Sequence, residues 1–592
     1  MATAEDPLAL ARRYHAEGQL VQAEQLCRQV LQNHPSHPAA LYLLGVTCQA
    51  QGRLAEAISW LQQATRCKPD LVRAYNDLGI ALSMAGRREE AGASFQQAIR
   101  LKPDYAEAHN NLGSVFRELG KHNEALASFQ QAVRFAPHFS VGHNNQGVAL
   151  LQAGRLEEAL DSFQDATRLA PDFAEAHQNA GIVRNRLGRL SEAAESFRNA
   201  LARSPEAVES LVGLASILYQ QGSFEEAIAT SRRALDIKPD HAEAHNNLGQ
   251  MLLETGQTDA ALAEYERSLL LKPDYPDAHW NRGLLLLLLG RFQAGWLEYE
   301  WRRVLKKMSW EALRRPLWDG SPLNGRTILL HSEQGAGDIF QAIRFAPVVK
   351  MLGGAVVVSC PGRLVPLLSR CPGIDRLVAR ESALPPFDVH APLMSLPGIL
   401  ATTMETIPAA VPYVFAEPRL VERWRAELGA GPGLKIGIAW QGDPKFPGDR
   451  YRSIPLRSFA PLAKREEVRL YSLQKGLGAE QLAGSAEQIP VINLGPRLDE
   501  SGGAFMDTAA VMKSLDLVVT SDTSIAHLAG ALGVRVWLAV TLMPDWRWLL
   551  GRDDSPWYPT MRLFRQTRKG DWDGVFERMA GELRHVAPRA TE

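Results

Sequence analysis

PDYAEAHNNLGSVFRELGKHNEALASFQQAVRFA, residues 103–136, decides the fold of the first half of this chain. Pro103 cannot sit inside a helix, so it opens an element, and Gly120 interrupts a run of helix formers midway through. The unit therefore predicts two amphipathic helices joined by a glycine break. Moving outward, the same punctuation recurs. Prolines fall at 35, 69, 103, 137, 171, 205, 239 and 273, each 34 residues after the last. Glycines repeat in one column at 45, 79, 113, 147, 181, 249 and 283, and in a second at 52, 86, 120, 154, 188, 222, 256 and 290. Alanine recurs at 57, 91, 125, 159, 193 and 227. Small residues in the first glycine column and the alanine column let helices approach closely.

These features resemble tetratricopeptide (TPR) repeats over residues 1 to about 305, as eight full units behind a partial one. Such helix pairs stack into a superhelix whose concave surface is lined by the first helix of each repeat. That face carries Asn111, Asn145, Asn179, Asn247 and Asn281, with Asp77 in register, and a histidine column at His109, His143, His177, His245 and His279. Asparagine is a poor interior helix residue that offers a donor and an acceptor, which suits hydrogen bonding to an extended peptide. The column resembles the asparagine ladder of the O-GlcNAc transferase superhelix and implies a protein or peptide partner in the groove. Duplication of a polar surface consensus accounts for the same asparagines. The column is interrupted after Pro205, where Leu211, Val212 and Gly213 replace His-Asn-Asn. The histidines lie on successive helix pairs about 10 Å apart, too far for one metal ion.

The bulk composition narrows the function classes. At 592 residues the chain needs roughly three or four domain-sized units. Lys plus Arg number 65 against 66 Asp plus Glu, so no global field attracts nucleic acid or anionic lipid. Cys27, Cys48, Cys67, Cys360 and Cys371 are scattered without metal-ligand spacing, as in a reduced thiol set. The amino-terminal residues lack an apolar signal core, and the longest leucine run, 284–289, is far too short to span a membrane. A cytoplasmic protein without a membrane span is expected.

After Gly290 the pattern changes, and Trp296, Trp301, Trp310 and Trp318 follow in quick succession. A tryptophan-rich last helix is expected to cap the repeats and join them to the next domain, with 316–325 as a linker. From Arg326 near-continuous apolar strands alternate with helices, at 327–332, 355–360, 435–440, 468–473, 515–521 and 534–539. That alternation means parallel sheets covered on both faces. The glycine-rich stretch 428–433 reads as a division between two doubly wound halves. The expected plan is an α-solenoid (1–305), a capping helix and linker (306–325), an acceptor-side α/β half (326–430) and a donor-side half (431–592).

Three motifs sit where strands end. Glu333-Gln334-Gly335-Ala336-Gly337-Asp338 is a glycine-rich turn into a helix; Gly335 and Gly337 permit close approach, and the helix start favours an anion. Asp338 as a plain N-cap explains it equally. Asp522, Thr523, Ser524 and His527 follow the strand at 515–521, where hydroxyls and free N–H groups form a phosphate cradle. A capped helix carrying a packed histidine is the alternative. Lys445, Asp449, Arg450 and Arg452 lie on a charged loop whose cations can face a diphosphate, or simply water. Gln474 and Lys475 are further donor-site candidates at a strand end.

In this order and spacing, residues 325–580 resemble the GT-B glycosyltransferases of the heptosyltransferase group, glycosyltransferase family 9 type. The resemblance implies a GT-B fold of two Rossmann-like halves and Asp338 as catalytic base. It places Asp522, Thr523 and His527 on the nucleotide diphosphate, with Ser524 where the family has Gly, and Arg452 where it has Lys. The implied activity is metal-independent transfer of a hexosyl or heptosyl group from a nucleotide-diphosphate sugar, a substrate rather than a cofactor, to an acceptor hydroxyl. Asp571-Trp572-Asp573 spells a metal-binding DxD but opens the last helix, and is read as a helix start. The alternative function is a TPR scaffold or adaptor whose nucleotide-sugar domain has lost catalysis.

Overall fold

The structure is a computed structural model that describes residues 6–587 apart from 307, 309–312, 430, 432, 446, 447, 486–488 and 501. Trp310 thus lies outside the described residues. The chain divides into two compact units, Met1–Pro239 and Asp240–Glu592.

The first unit is a run of helix pairs, from Pro7–Ala16 with Leu20–Asn33 to Val208–Gln221 with Phe224–Ile237. Each glycine column has its own physical duty. A Cβ on Gly79, Gly113 or Gly147 would stand 2.6–2.8 Å from the ring of Phe95, Phe129 or Phe163, sixteen residues later. The two helices of a pair touch there. The second column ends the first helix: Gly86, Gly120 and Gly154 take φ of 72–77° and face open space. The two columns should therefore fail differently. Gly113→Ala should cost about 1–3 kcal/mol by overpacking against the fully buried Phe129, whereas Gly120→Ala should cost about 1 kcal/mol of backbone strain. Denaturant unfolding of the two variants checks this, and equal costs would refute the assignment.

The histidine column is also structural. Nε2 of His109, His143 and His177 lies 2.9, 3.0 and 3.0 Å from the carbonyl of Pro103, Pro137 and Pro171, six residues earlier. A carbonyl only accepts, so each Nε2 carries the proton and ties the loop between repeats.

The second unit opens with two more pairs, Ala242–Glu254 with Thr258–Leu271 and Pro276–Leu288 with Phe292–Tyr299. The division at 239 thus falls inside the repeats and not at 305, because the last pair packs against the α/β body. Trp296 Nε1 donates to Thr402 O at 2.9 Å, and Trp296 meets Trp546 edge-on at 5.3 Å. Leu285 to Leu288 are buried in the helix Pro276–Leu288, which accounts for the leucine run.

Two parallel sheets follow. The first joins β1 (Thr327–His331), β2 (Ala355–Cys360), β3 (Arg376–Ala379) and β4 (Val389–Pro392) in the order β3-β2-β1-β4. The second joins β5 (Leu434–Ala439), β6 (Val468–Ser472), β7 (Val491–Asn493), β8 (Leu517–Ser521), β9 (Val536–Val540) and β10 (Met561–Arg565) in the order β10-β9-β8-β5-β6-β7. Each order reverses beside its first strand, between β1 and β4 and between β5 and β8. Ligands of doubly wound sheets bind beyond the carboxyl ends of strands at such a reversal. Ile436, Ile438, Leu517 and Val519 form the second core with Val575, Phe576 and Met579 of the helix Trp572–Glu582. Four strands escaped the sequence pattern: β3, β4 and β7 have only three or four residues, and β10 lies in the arginine-rich tail.

The expected division near 430 also comes late. The helix Pro418–Leu428 already belongs to the second sheet: Trp424 Nε1 donates to Asp507 Oδ1 at 2.7 Å, on the helix Met506–Lys513. Asp571 caps the helix Trp572–Glu582 through Gly574 N at 3.0 Å, and Asp573 accepts from Ser458 Oγ at 2.7 Å, so the DxD is a helix start. Among the described residues no helix is long and apolar enough to cross a membrane.

Candidate functional site

The strand ends β1 and β8 each feed a helix, Ala336–Ala342 and Ser524–Ala531, and the two helix starts converge. A Cβ on Gly337 would sit 2.8 Å from His527 Cδ2 and 3.4 Å from Ser524 Cα. Only glycine permits this approach, so Gly337 brings the first motif against the second. Gly335 donates its N–H to Asp338 Oδ2 at 3.0 Å. Asp338 Oδ1 lies 2.5 Å from Arg547 Nη2. Gly335, not Asp338, is thus the N-cap residue; Asp338, three residues on, closes the helix start with its side chain and is ion-paired.

Arg547 organises this cleft. It is 6% exposed, pairs with Asp545 at 2.9 Å, and reaches Gln341 through Nε. Burial alone would lower its pKa, but the Asp545 and Asp338 carboxylates outweigh burial and hold it charged. It lies over the Trp546 ring, 4.4 Å from the centroid. A second buried arginine, Arg344, donates to Trp557 O at 2.5 Å and Tyr413 Oη at 2.6 Å.

His527 is buried, its Nδ1 2.9 Å from Tyr558 Oη and its ring stacked 5.3 Å from Trp548. Burial, with Arg547, Arg344 and Arg452 nearby, holds it neutral at a pKa well below the ordinary value. Its Nε2 lies 3.9 Å from Asp522 Oδ1. Asp522 is raised to about 6 by burial and by Asp545, against the pull of Arg452 and Arg547.

Thr523 occupies the N-cap position of the helix Ser524–Ala531, yet its side chain makes no capping bond. Its Oγ1 and the Oγ of Ser521 are buried without a hydrogen-bond partner. Buried hydroxyls are ordinarily paired, so this pair of orphans calls for an explanation.

Of the remaining candidates, Arg452 reaches the site, its Nε 3.1 Å from the buried Asp449. Gln474 does not. Its Oε1 accepts from the N–H groups of Trp440 and Gln441 at 3.1 Å, and its Nε2 donates to Gln441 O and Leu477 O. The side chain is spent on holding two loops together. Lys475 likewise donates to Leu498 O.

Asp522 makes stability depend on pH. Its folded pKa of about 6 exceeds its ordinary 3.8, so between those values the native state keeps a proton that the unfolded chain releases. Native stability contributed by this group is full below about pH 4 and falls as pH rises to 6. Relative to wild type, Asp522→Asn should gain up to about 3 kcal/mol across that window and then level off. Parallel unfolding curves from pH 4 to 7 would refute it.

On the repeats, Nδ2 of Asn111, Asn145 and Asn179 donates to Oδ1 of Asn76, Asn110 and Asn144 at 3.1, 2.8 and 3.0 Å. Asn281 donates likewise to Asn246 at 2.9 Å. Asn247 instead accepts from Asn246 at 3.3 Å. All five asparagines are half-buried, and all but Asn247 are rungs between neighbouring repeats, with one amide face already used.

A tetratricopeptide-repeat model matches residues 14–78, and a model of the C-terminal domain of cilia and flagella-associated protein 70 matches residues 70–281. The array is built of tetratricopeptide repeats. Protein FlbA of Caulobacter vibrioides is 29% identical over 290 residues, 46% of this chain and 48% of that protein. The chain thus spans about half the length of the curated relative it matches. Similar solved structures include pilF of Pseudomonas aeruginosa, 21% identical over 35% of this chain and 94% of that one, with a TM-score of 0.33. Another is a tetratricopeptide repeat protein from Parabacteroides merdae, 17% identical over 42% of this chain and 98% of that one, at 0.34.

The last TPR pair supplies part of the cleft wall. Tyr299, fully buried and raised to about 12 by that burial, accepts from Gln334 Nε2 at 3.2 Å and lies 6.0 Å from Trp546. Arg302, with no exposed surface, donates to Ser395 Oγ at 2.7 Å and pairs with Glu333 at 3.1 Å and Glu300 at 2.5 Å. Sequence reasoning missed Arg302, Arg344 and Arg547. Their roles depend on partners 31 to 213 residues away, which no local motif encodes.

Proposed function

We propose that the chain is a protein-recruiting glycosyltransferase of GT-B type, which binds a nucleotide-diphosphate sugar in the cleft between its two parallel sheets. The observation that carries this is the orphaned hydroxyl pair Ser521 and Thr523 at the start of the helix Ser524–Ala531. Phosphate oxygens would accept from both, the helix start would add its N–H groups, and Arg452 would add a planar fork. The TPR array would present a protein or peptide acceptor.

In the transfer, Asp338 takes the acceptor hydroxyl proton while the sugar–phosphate bond breaks, and Arg452 with the helix start steadies the leaving diphosphate. Neutral His527 stands beside Asp522, its Nε2 3.9 Å from the carboxylate. Asp338 must act while one of its carboxylate oxygens is held by Arg547.

That pairing favours a second reading, a TPR adaptor whose α/β body binds the nucleotide sugar without turning it over. Incubating the full chain with a panel of nucleotide sugars separates the two. Transfer or hydrolysis that is lost in Asp338→Asn supports the enzyme. A thermal shift without turnover supports the adaptor, and neither response overturns nucleotide-sugar binding altogether.

A further inference from the structure

Away from the cleft, at the outer edge of the second sheet, a cavity of about 590 Å³ is lined by Arg552, Arg562, Arg565 and Arg578 against Asp553 and Glu582. Two of the four arginines are neutralised. Arg552 pairs with Asp554 at 2.6 Å, and Arg562 with Glu582 at 2.8 Å. Among the described residues, neither Arg565 nor Arg578 has an ion-pair partner within 4 Å.

Arg565 is the telling member. It is the last residue of β10 and is half-buried. It donates Nε to Arg552 O at 2.7 Å and Nη2 to Trp548 O at 2.5 Å, two neutral carbonyls. Its Nη1 is buried without a partner. Burial, with Arg552 alongside, pulls its pKa down to about 10 against the opposing effect of Asp553. A half-buried guanidinium with an idle N–H, and with Asp553 acting on it only from beyond ion-pair distance, gains from an anion that completes it. Arg578, held by its own bond to Arg565 O, stands beside it on the last helix.

We propose that this cavity is a binding site for a phosphate ester of a small organic molecule, its phosphoryl group held by Arg565 and Arg578. A phosphoryl group matches the planar fork and carries the charge that the two unpaired arginines lack. The volume exceeds that of a lone phosphate and lies in the range of small-molecule sites. Leu563 and Phe564 also line the cavity, beside the arginines. This site is separate from Ser521 and Thr523, and its occupancy does not depend on sugar transfer.

The test uses the full chain with inorganic phosphate, glucose 1-phosphate, AMP, malonate and citrate as probes. At least one phosphate ester should raise the thermal midpoint by about 2 °C or more at saturating concentration. The shift should persist in Thr523→Val, which alters the cleft alone. It should vanish in Arg565→Met, and Arg578→Met, whose side chain is exposed, should weaken titrated affinity about tenfold. If Arg565→Met fails to fold, Arg578→Met decides. No response to any phosphate ester, a stronger response to the dicarboxylates, or a shift that survives Arg578→Met would overturn the proposal. A shift abolished by Thr523→Val would assign the binding to the cleft instead.

Discussion

Arg547→Met should lower the unfolding free energy of the unit Asp240–Glu592 by about 3–5 kcal/mol, the usual cost of stripping one partner from a buried ion pair. The guanidinium joins Asp545, from the second sheet's connections, to Asp338 and Gln341 behind the first. Methionine fills much of the volume but leaves two carboxylates facing each other in a partly dry cleft. The double variant Arg547→Met/Asp338→Asn should recover part of the loss, because the asparagine no longer brings an uncompensated charge. Tryptophan fluorescence is a suitable signal, since all tryptophans except Trp60 lie beyond residue 239. A loss below about 1 kcal/mol, or purely additive costs, would show that Arg547 is not the bridge described here.

Arg302→Met is expected to be nearly as damaging, again about 3–5 kcal/mol, but its effect should reach farther along the chain. Arg302 belongs to the end of the TPR array, whereas its partners Glu333 and Ser395 belong to the first parallel sheet's connections. Burial raises the Glu333 carboxyl and Arg302 pulls it back; without that cation Glu333 is left as a buried carboxyl with no counter-charge. The turn from Glu333 to Asp338 would then lose its anchor. Hydrogen exchange should show faster opening of residues 333–342 in the variant, with the helices before residue 239 unaffected. Unchanged exchange in that turn would refute the anchoring role.

Much of the candidate site was legible beforehand because it rests on local chemistry. Gly337 and Thr523 stand at strand-to-helix turns that any doubly wound sheet must make, and the spacing placed both at strand ends. What local chemistry did not disclose was use. Gln474 has the right address, yet four hydrogen bonds consume it within two loops. Thr523 has the right identity for a cap, yet leaves its hydroxyl idle. Asp338 both closes the helix start with its side chain and is one end of an ion pair whose other end lies 209 residues away.

The amino-acid sequence by itself determined the repeats, because a 34-residue period is a local rule applied over and over: proline to open, glycine to turn, small residues where Phe95 or Phe129 must fit. It also determined that parallel sheets follow, since buried strands between helices must be apolar throughout. Tertiary structure alone decided where the compact units divide. Trp296, Tyr299 and Arg302 commit the last TPR pair to the α/β body through contacts that a repeat pattern cannot carry. It alone also decided which charges meet, because Arg547, Arg302 and Arg565 acquire or lack partners only when distant loops close around them.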